Sequence, residues 1–329
     1  MESRTHRDIF KPRFEARPFE YPEAIELLNM LADTYWRHTE LSFNADVNDI
    51  DNLPPHEKEI VLRSLLAIST VEVAVKSFWS QLGSHFPANE WDMLGIQAAE
   101  SENRHFLSYS HLLNLLNLDK RFSEVKEIPA IKGRYDYLNK YLKLSPQNSD
   151  KRKYVIKLIL FSILIEHTSL FGQFATVLYF FRHRGIMKDI RNIITWSGLD
   201  EKVHFKIGST IINILREEYP NMFDEEMDEI VRKACVKSVK YESAILDWIF
   251  ELGELEYMSK GDVLNYMKSQ VNDSLIQTGF EPCFENVGDL SNTDFFFDEV
   301  FADSMDDFLA MRPVDYTLGD IAITKDNLF

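Results

Sequence analysis

The order Glu … Glu-x-x-His occurs twice in this chain of 329 residues. Glu72 precedes Glu102-Asn103-Arg104-His105 by 30 residues, and Glu166 precedes Glu201-Lys202-Val203-His204 by 35. Each first Glu stands alone in an apolar run, and each Glu-x-x-His lies in a stretch of helical apolar spacing, where residues i and i+3 share a face. Two antiparallel helix pairs would bring all six side chains to one bundle centre. Four buried carboxylates need compensating charge. Two divalent cations balance them, and two neutral imidazoles complete the shell. The competing reading makes the Glu helix-surface residues and the His satisfied core groups. Either Glu-x-x-His pair alone could arise by chance among 28 Glu and 9 His. The sixfold order is much harder to obtain that way.

The rest of the chain supports an all-α fold. With 12 Gly and 11 Pro there are few turn and hairpin signals, which favours long helices over many short strands. Apolar periodicity predicts helices over 21–41, 55–83, 89–118, 151–183, 186–217 and 224–258, the second opened by Pro54-Pro55. Several approach 30 residues, a length typical of bundles. Val155–Phe181 is almost apolar and long enough to span a bilayer. Lys157, Glu166 and His167 inside it favour instead the central helix of a soluble bundle.

Charge and cysteine usage narrow the function. Hydrophobic residues are 45% and charged residues 27%, enough for a sizeable core. A net charge of −17 repels nucleic acid, so no such partner is expected. Cys235 and Cys283 are too few for a disulfide framework or a Cys-rich zinc site. Met1–Phe10 carries no apolar signal segment, so a cytoplasmic location and no membrane partner are expected. From Phe284 to Phe329 there are 11 Asp+Glu against 2 Lys+Arg, with interleaved aromatics. The expected division is a helical domain over 1–283 and an acidic, flexible tail over 284–329, either a solubilising terminus or a docking peptide.

The six-residue order is similar to that of ferritin-like dinuclear carboxylate proteins. Most closely, the chain resembles the small, radical-generating subunit of class I ribonucleotide reductase, from about residue 20 to the C-terminus. The resemblance implies a ferritin-like bundle whose metal ligands are Glu72, Glu102, His105, Glu166, Glu201 and His204. It implies that Tyr109, in Ser101-Glu102-x-x-His105-x-x-x-Tyr109, holds the family's radical-tyrosine position. Asp200 and Trp36 match an aspartate and a tryptophan that lead away from a metal-bound His, and Tyr316 matches a tail tyrosine that passes the radical on. On the residues alone, Trp36 and Tyr109 also read as core aromatics, and Asp200 as a helix charge.

The resemblance further implies a homodimer working with a separate large catalytic subunit, docked through the tail, for deoxyribonucleotide synthesis. Glu72 stands where the family usually has Asp. Glu there resembles two minority branches: one with Phe for the tyrosine and a manganese–iron pair, one with Tyr and two manganese ions. Glu72 with Tyr109 resembles the second, so a dimanganese centre is expected, with diiron and manganese–iron as alternatives. Two other functions fit the same scaffold: a dinuclear-metal oxidase or monooxygenase with an open substrate channel, and a metal store. Storage needs only about half this length and no tail.

Overall fold

The computed structural model describes residues 7–75, 77–142, 150–297 and 299–300. Among these residues the structure is helical and contains no strand. The helices are α1 (Pro22–Asp33), α2 (Asn44–Asp51), α3 (Pro55–Val75), α4 (Asn89–Leu115) and α5 (Pro129–Leu142). They continue with α6 (Lys151–Phe161), a π-helical segment (Ser162–Ser169), α7 (Phe171–Arg184), α8 (Lys188–Glu218), α9 (Glu225–Ile249) and α10 (Lys260–Gln277). This is the ferritin-like bundle expected from the sequence.

The predicted helices are present, but three end early for local reasons. The helix predicted over 21–41 stops at Asp33, where the Thr34 amide makes the last turn's bond to the carbonyl of Met30 at 3.3 Å. That predicted over 55–83 stops at Val75. Phe78 beyond it stacks on Phe161 at 3.5 Å, and Trp79 meets the same ring edge-on. The last, predicted to 258, stops at Ile249, ahead of Gly253, whose φ of 142° is open only to glycine. Helices α2, α5 and α10 are additional. Ser259 and Asp262 form a capping box that marks the start of α10.

The apolar stretch that could match a bilayer in length lies inside the bundle, with 94% of its most apolar window buried. It packs against α8, α9 and α10. At Gly208 of α8 a Cβ would overlap Ser162 Oγ, so glycine there lets α8 approach the π segment closely. The start of α8 is held from α2: Asp46 accepts the Ile190 amide at 2.6 Å, and Asp49 accepts that of Met187 at 2.9 Å.

Residues 284–300 include a part packed on the bundle. Phe296 is fully buried against Phe171 and Tyr266, and Glu299 pairs with Arg191 at 3.4 Å. The aromatic run Phe295–Phe297 supplies an apolar anchor within an acidic stretch, and net charge alone hid it. Tyr316, with the rest of 301–329, lies outside the described residues.

Candidate metal centre

Four successive parts of the bundle each deliver ligand-type side chains to one place. Glu72 comes from the last turn of α3, Glu102 and His105 from α4, Glu166 from the π segment, and Glu201 and His204 from α8. All six are buried. They form two groups, Glu72/Glu102/His105/Glu201 and Glu102/Glu166/Glu201/His204, whose ligand atoms in each group lie within 4.8 Å of one another. His105 Nδ1 is 3.0 Å from Glu201 Oε1, 3.8 Å from Glu102 and 3.9 Å from Glu72. His204 Nδ1 is 3.1 Å from Glu201 Oε2, 3.2 Å from Glu102 and 3.6 Å from Glu166.

The outer nitrogens of both imidazoles are anchored. His105 Nε2 lies 3.1 Å from Asp200 Oδ2. His204 Nε2 lies 2.6 Å from Ser101 Oγ, whose own hydrogen goes to the carbonyl of Ala98. Asp200 and Ser101 are therefore acceptors for the two Nε2–H groups, which turns both Nδ1 atoms towards the carboxylates, the usual arrangement of metal-ligating histidines. Trp79 adds a fixed bond by donating Nε1–H to Glu166 Oε1 at 2.9 Å. The π segment widens the helix under Glu166. Thr168 and Ser169 hydroxyls bond back to Ile163 and Leu164, five residues earlier.

The electrostatics call for cations. Burial raises Glu72, Glu102 and Glu166 above the usual carboxylate range, and neighbouring carboxylates add to the rise. Burial would lower His105 and His204, yet the surrounding carboxylates hold both well above the ordinary imidazole value. Both oxygens of Glu72 and Glu102, Oε2 of Glu166, Oε1 of Glu201 and Nδ1 of His105 are buried without a hydrogen-bond partner. Converging oxygen and imidazole donors left unsatisfied in this way fit a pair of divalent metals.

Beyond these six residues, Asp200 is a hub. Its Oδ2 accepts from Trp36 Nε1 at 2.9 Å and faces His105, and its Oδ1 accepts from the Thr34 hydroxyl at 3.1 Å. Burial would raise Asp200, but His105 and then Arg104 hold it below the usual range. Arg104 lies over the rings of both Tyr35 and Trp36. The structure thus joins His105, Asp200 and Trp36. Tyr109 is buried behind Glu72. Its hydroxyl points to Ser197 Oγ at 3.4 Å. Burial raises the Tyr109 phenol well above its ordinary value, and Glu72 adds to the rise. The sequence reading missed Thr34, Trp79, Arg104 and Ser197 as neighbours of the site. Only Ser101 and Arg104, beside and within the first Glu-x-x-His, lay in a motif.

A bundle that delivers two carboxylate–histidine sets to one buried centre defines a ferritin-like dinuclear metal protein. The chain belongs to the ribonucleotide reductase small chain family, whose model matches residues 13–291. It is 28% identical to a probable ribonucleoside-diphosphate reductase small subunit of Invertebrate iridescent virus 3, over 95% of this chain and 86% of the relative. It is 24% identical to a ribonucleoside-diphosphate reductase subunit beta of Chlamydia pneumoniae, over 82% and 81%. Among solved structures, the ribonucleotide reductase R2 subunit of Clostridium botulinum superimposes with a TM-score of 0.74 at 18% identity, covering 84% of this chain and 88% of the other. The dimanganese(II) NrdF of Streptococcus sanguinis gives 0.70 at 15%, covering 88% and 99%. The function is that of a ribonucleoside-diphosphate reductase small subunit, which generates the radical equivalent used by the reductase.

Proposed function

We propose that Glu72, Glu102, His105, Glu166, Glu201 and His204 hold two manganese ions in the working small subunit of a class I reductase. One observation carries the dinuclear reading. Glu102 and Glu201 belong to both ligand groups, so two ions would share them. When bound, the metal pair supplies the stored oxidising equivalent. Asp200 and Ser101 fix the imidazoles so that Nδ1 faces inward. Trp36, bonded to Asp200, leads the equivalent away. When Trp36 gives up an electron, Asp200 Oδ2 is the acceptor within reach of its indole proton. Tyr316 then passes the equivalent to a separate catalytic subunit, held by the acidic C-terminal segment.

Two features support manganese and a Tyr109 that is not the stored radical. Glu72 is one methylene longer than Asp and reaches further across the site. The hydrogen-bond partner of the Tyr109 hydroxyl is a serine, a poor base, and burial with the neighbouring Glu72 charge holds the phenol proton tightly. The protein acts in the cytoplasm as a homodimer. Exposed Met93 and Ile96 on the outer side of α4, the latter 61% accessible, suit contact with a second copy. Metal analysis of the protein purified from its native host tests the reading. Two ions per chain, mainly manganese, are expected. Mainly iron would overturn the manganese assignment, and fewer than one ion per chain would overturn the dinuclear site.

A further inference from the structure

A cavity of about 100 Å³ lies between α3 and α4 and the short helix that follows α4. Its lining includes Glu72 and Tyr109, both buried, and Ser110 and Asp119, both exposed. It therefore runs from solvent to the Glu72 end of the metal centre. Ser69, Val73, Phe106, Leu113 and Phe122 complete the wall, so its middle is largely apolar.

The chemistry of this passage is that of a cation path. At its inner end, both carboxylate oxygens of Glu72 are buried and lack any hydrogen-bond partner. At its mouth, Asp119 is held by the side-chain amide of Asn114, which donates to Oδ2 at 3.0 Å. Arg121, two residues on, is committed elsewhere, with both guanidinium nitrogens on Glu59 at 2.9 Å. Ser69 spends its hydrogen on the carbonyl of Leu65, leaving oxygen lone pairs for the passage. Carboxylates at both ends and hydroxyls between them suit hard divalent ions, which prefer oxygen ligands. An anion would meet a carboxylate at each end, and the chain's net charge of −17 adds to that bias.

We propose that this cavity is the route by which divalent metal ions reach the centre, with Asp119 collecting them at the surface and Glu72 receiving them inside. The inference rests on the six-ligand reading above. The test is loading kinetics of the metal-free full-length protein mixed with manganese(II), followed by loss of the EPR signal of the free aqueous ion. Ser110→Trp, at the exposed mouth, should slow uptake about tenfold or more, and Asp119→Asn should slow it less and weaken its salt dependence. Phe122→Ala, which widens the passage, should speed uptake with helix content and thermal stability retained. All three should still reach two ions per chain. Wild-type uptake rates in both Ser110→Trp and Asp119→Asn, at low and high salt, would overturn the route. A wild-type protein that never takes up two ions would overturn the six-ligand reading instead, so the two failures are distinguishable.

Discussion

Trp79 donates its indole N–H to Glu166 Oε1, leaving Oε2 of that carboxylate facing His204 at 3.6 Å. The bond decides which oxygen of Glu166 is free to ligate. Trp79→Phe keeps an aromatic ring against Phe161 but removes the donor. Metal affinity is expected to fall about tenfold, the usual cost of losing a group that orients a ligand, with helix content retained. Competition against a chelator measures it, and unchanged affinity would show that the bond does not orient Glu166.

Glu102 belongs to both ligand groups and His204 to one. Glu102→Ala should therefore lose both ions, whereas His204→Ala should keep one in the half built from Glu72 and His105. Metal content after desalting separates the cases, and two ions retained in either variant would refute the assignment. Protons should move as well. Without metal, burial raises Glu72 and Glu166, and carboxylates hold both imidazoles well above their ordinary value. The metal-free site thus holds protons more tightly than free side chains would, and loading releases them. Affinity should rise with pH and fall as pH drops. Calorimetry in buffers of different ionisation enthalpy reads the released protons directly.

If manganese is the working metal, protein activated with manganese alone should show a multiline manganese EPR signal and be active with its catalytic subunit. Protein activated with iron alone should be inactive, and Tyr109→Phe should keep considerable activity. A narrow tyrosyl signal in an active iron form, lost in Tyr109→Phe, would sink the idea.

A peptide copying about the last 20 residues should compete with the intact chain for the catalytic subunit, at about micromolar affinity because the peptide must be ordered on binding. Tyr316→Phe should bind the partner normally yet give no turnover, since the phenol proton is gone. Substantial turnover in that variant would remove Tyr316 from the path.

His167 offers a pH signature outside the ligand set. It is buried between Phe171 and Phe205, with Nδ1 2.7 Å from Ser274 Oγ. Burial lowers its pKa from 6.5 to about 4, and Lys202 adds to the effect. The folded value lies below the unfolded one, so the neutral imidazole's contribution is full above about 6.5 and is lost as pH falls towards 4. Linkage puts the loss on the order of 3 kcal/mol. Denaturant melts of the metal-free protein at pH 7 and pH 4.5 should show a smaller acid loss in His167→Gln than in wild type. Equal losses would mean that His167 titrates normally.

The six ligand-type residues were legible because the site repeats its own pattern, and because a lone Glu inside an apolar run such as Ile163-Leu164-Ile165-Glu166 has no cheap explanation in a core. Pro55 marked its helix start equally well. The environment was harder to read. Trp79 reaches Glu166 only because the chain turns after Val75, and Ser197 meets Tyr109 across 88 residues of sequence. Neither contact has a local signal. The Phe295–Phe297 anchor was masked by the acidic residues around it, since its packing depends on Phe171 and Tyr266, far away in the chain.

The π turn at Ser162–Ser169 sets the phase between the two halves of one long helix. A π turn accommodates one residue more than regular α geometry, and each α residue advances the helix by about 100°. Deleting one residue would remove the bulge and leave the flanking turns in phase, whereas winding all of these residues into an ordinary α-helix would turn everything after the segment through about that angle. Either Glu166 would face the centre or Phe171 and Phe174 would face the core, but not both. The extra residue is a spacer that lets one helix satisfy two rotational frames.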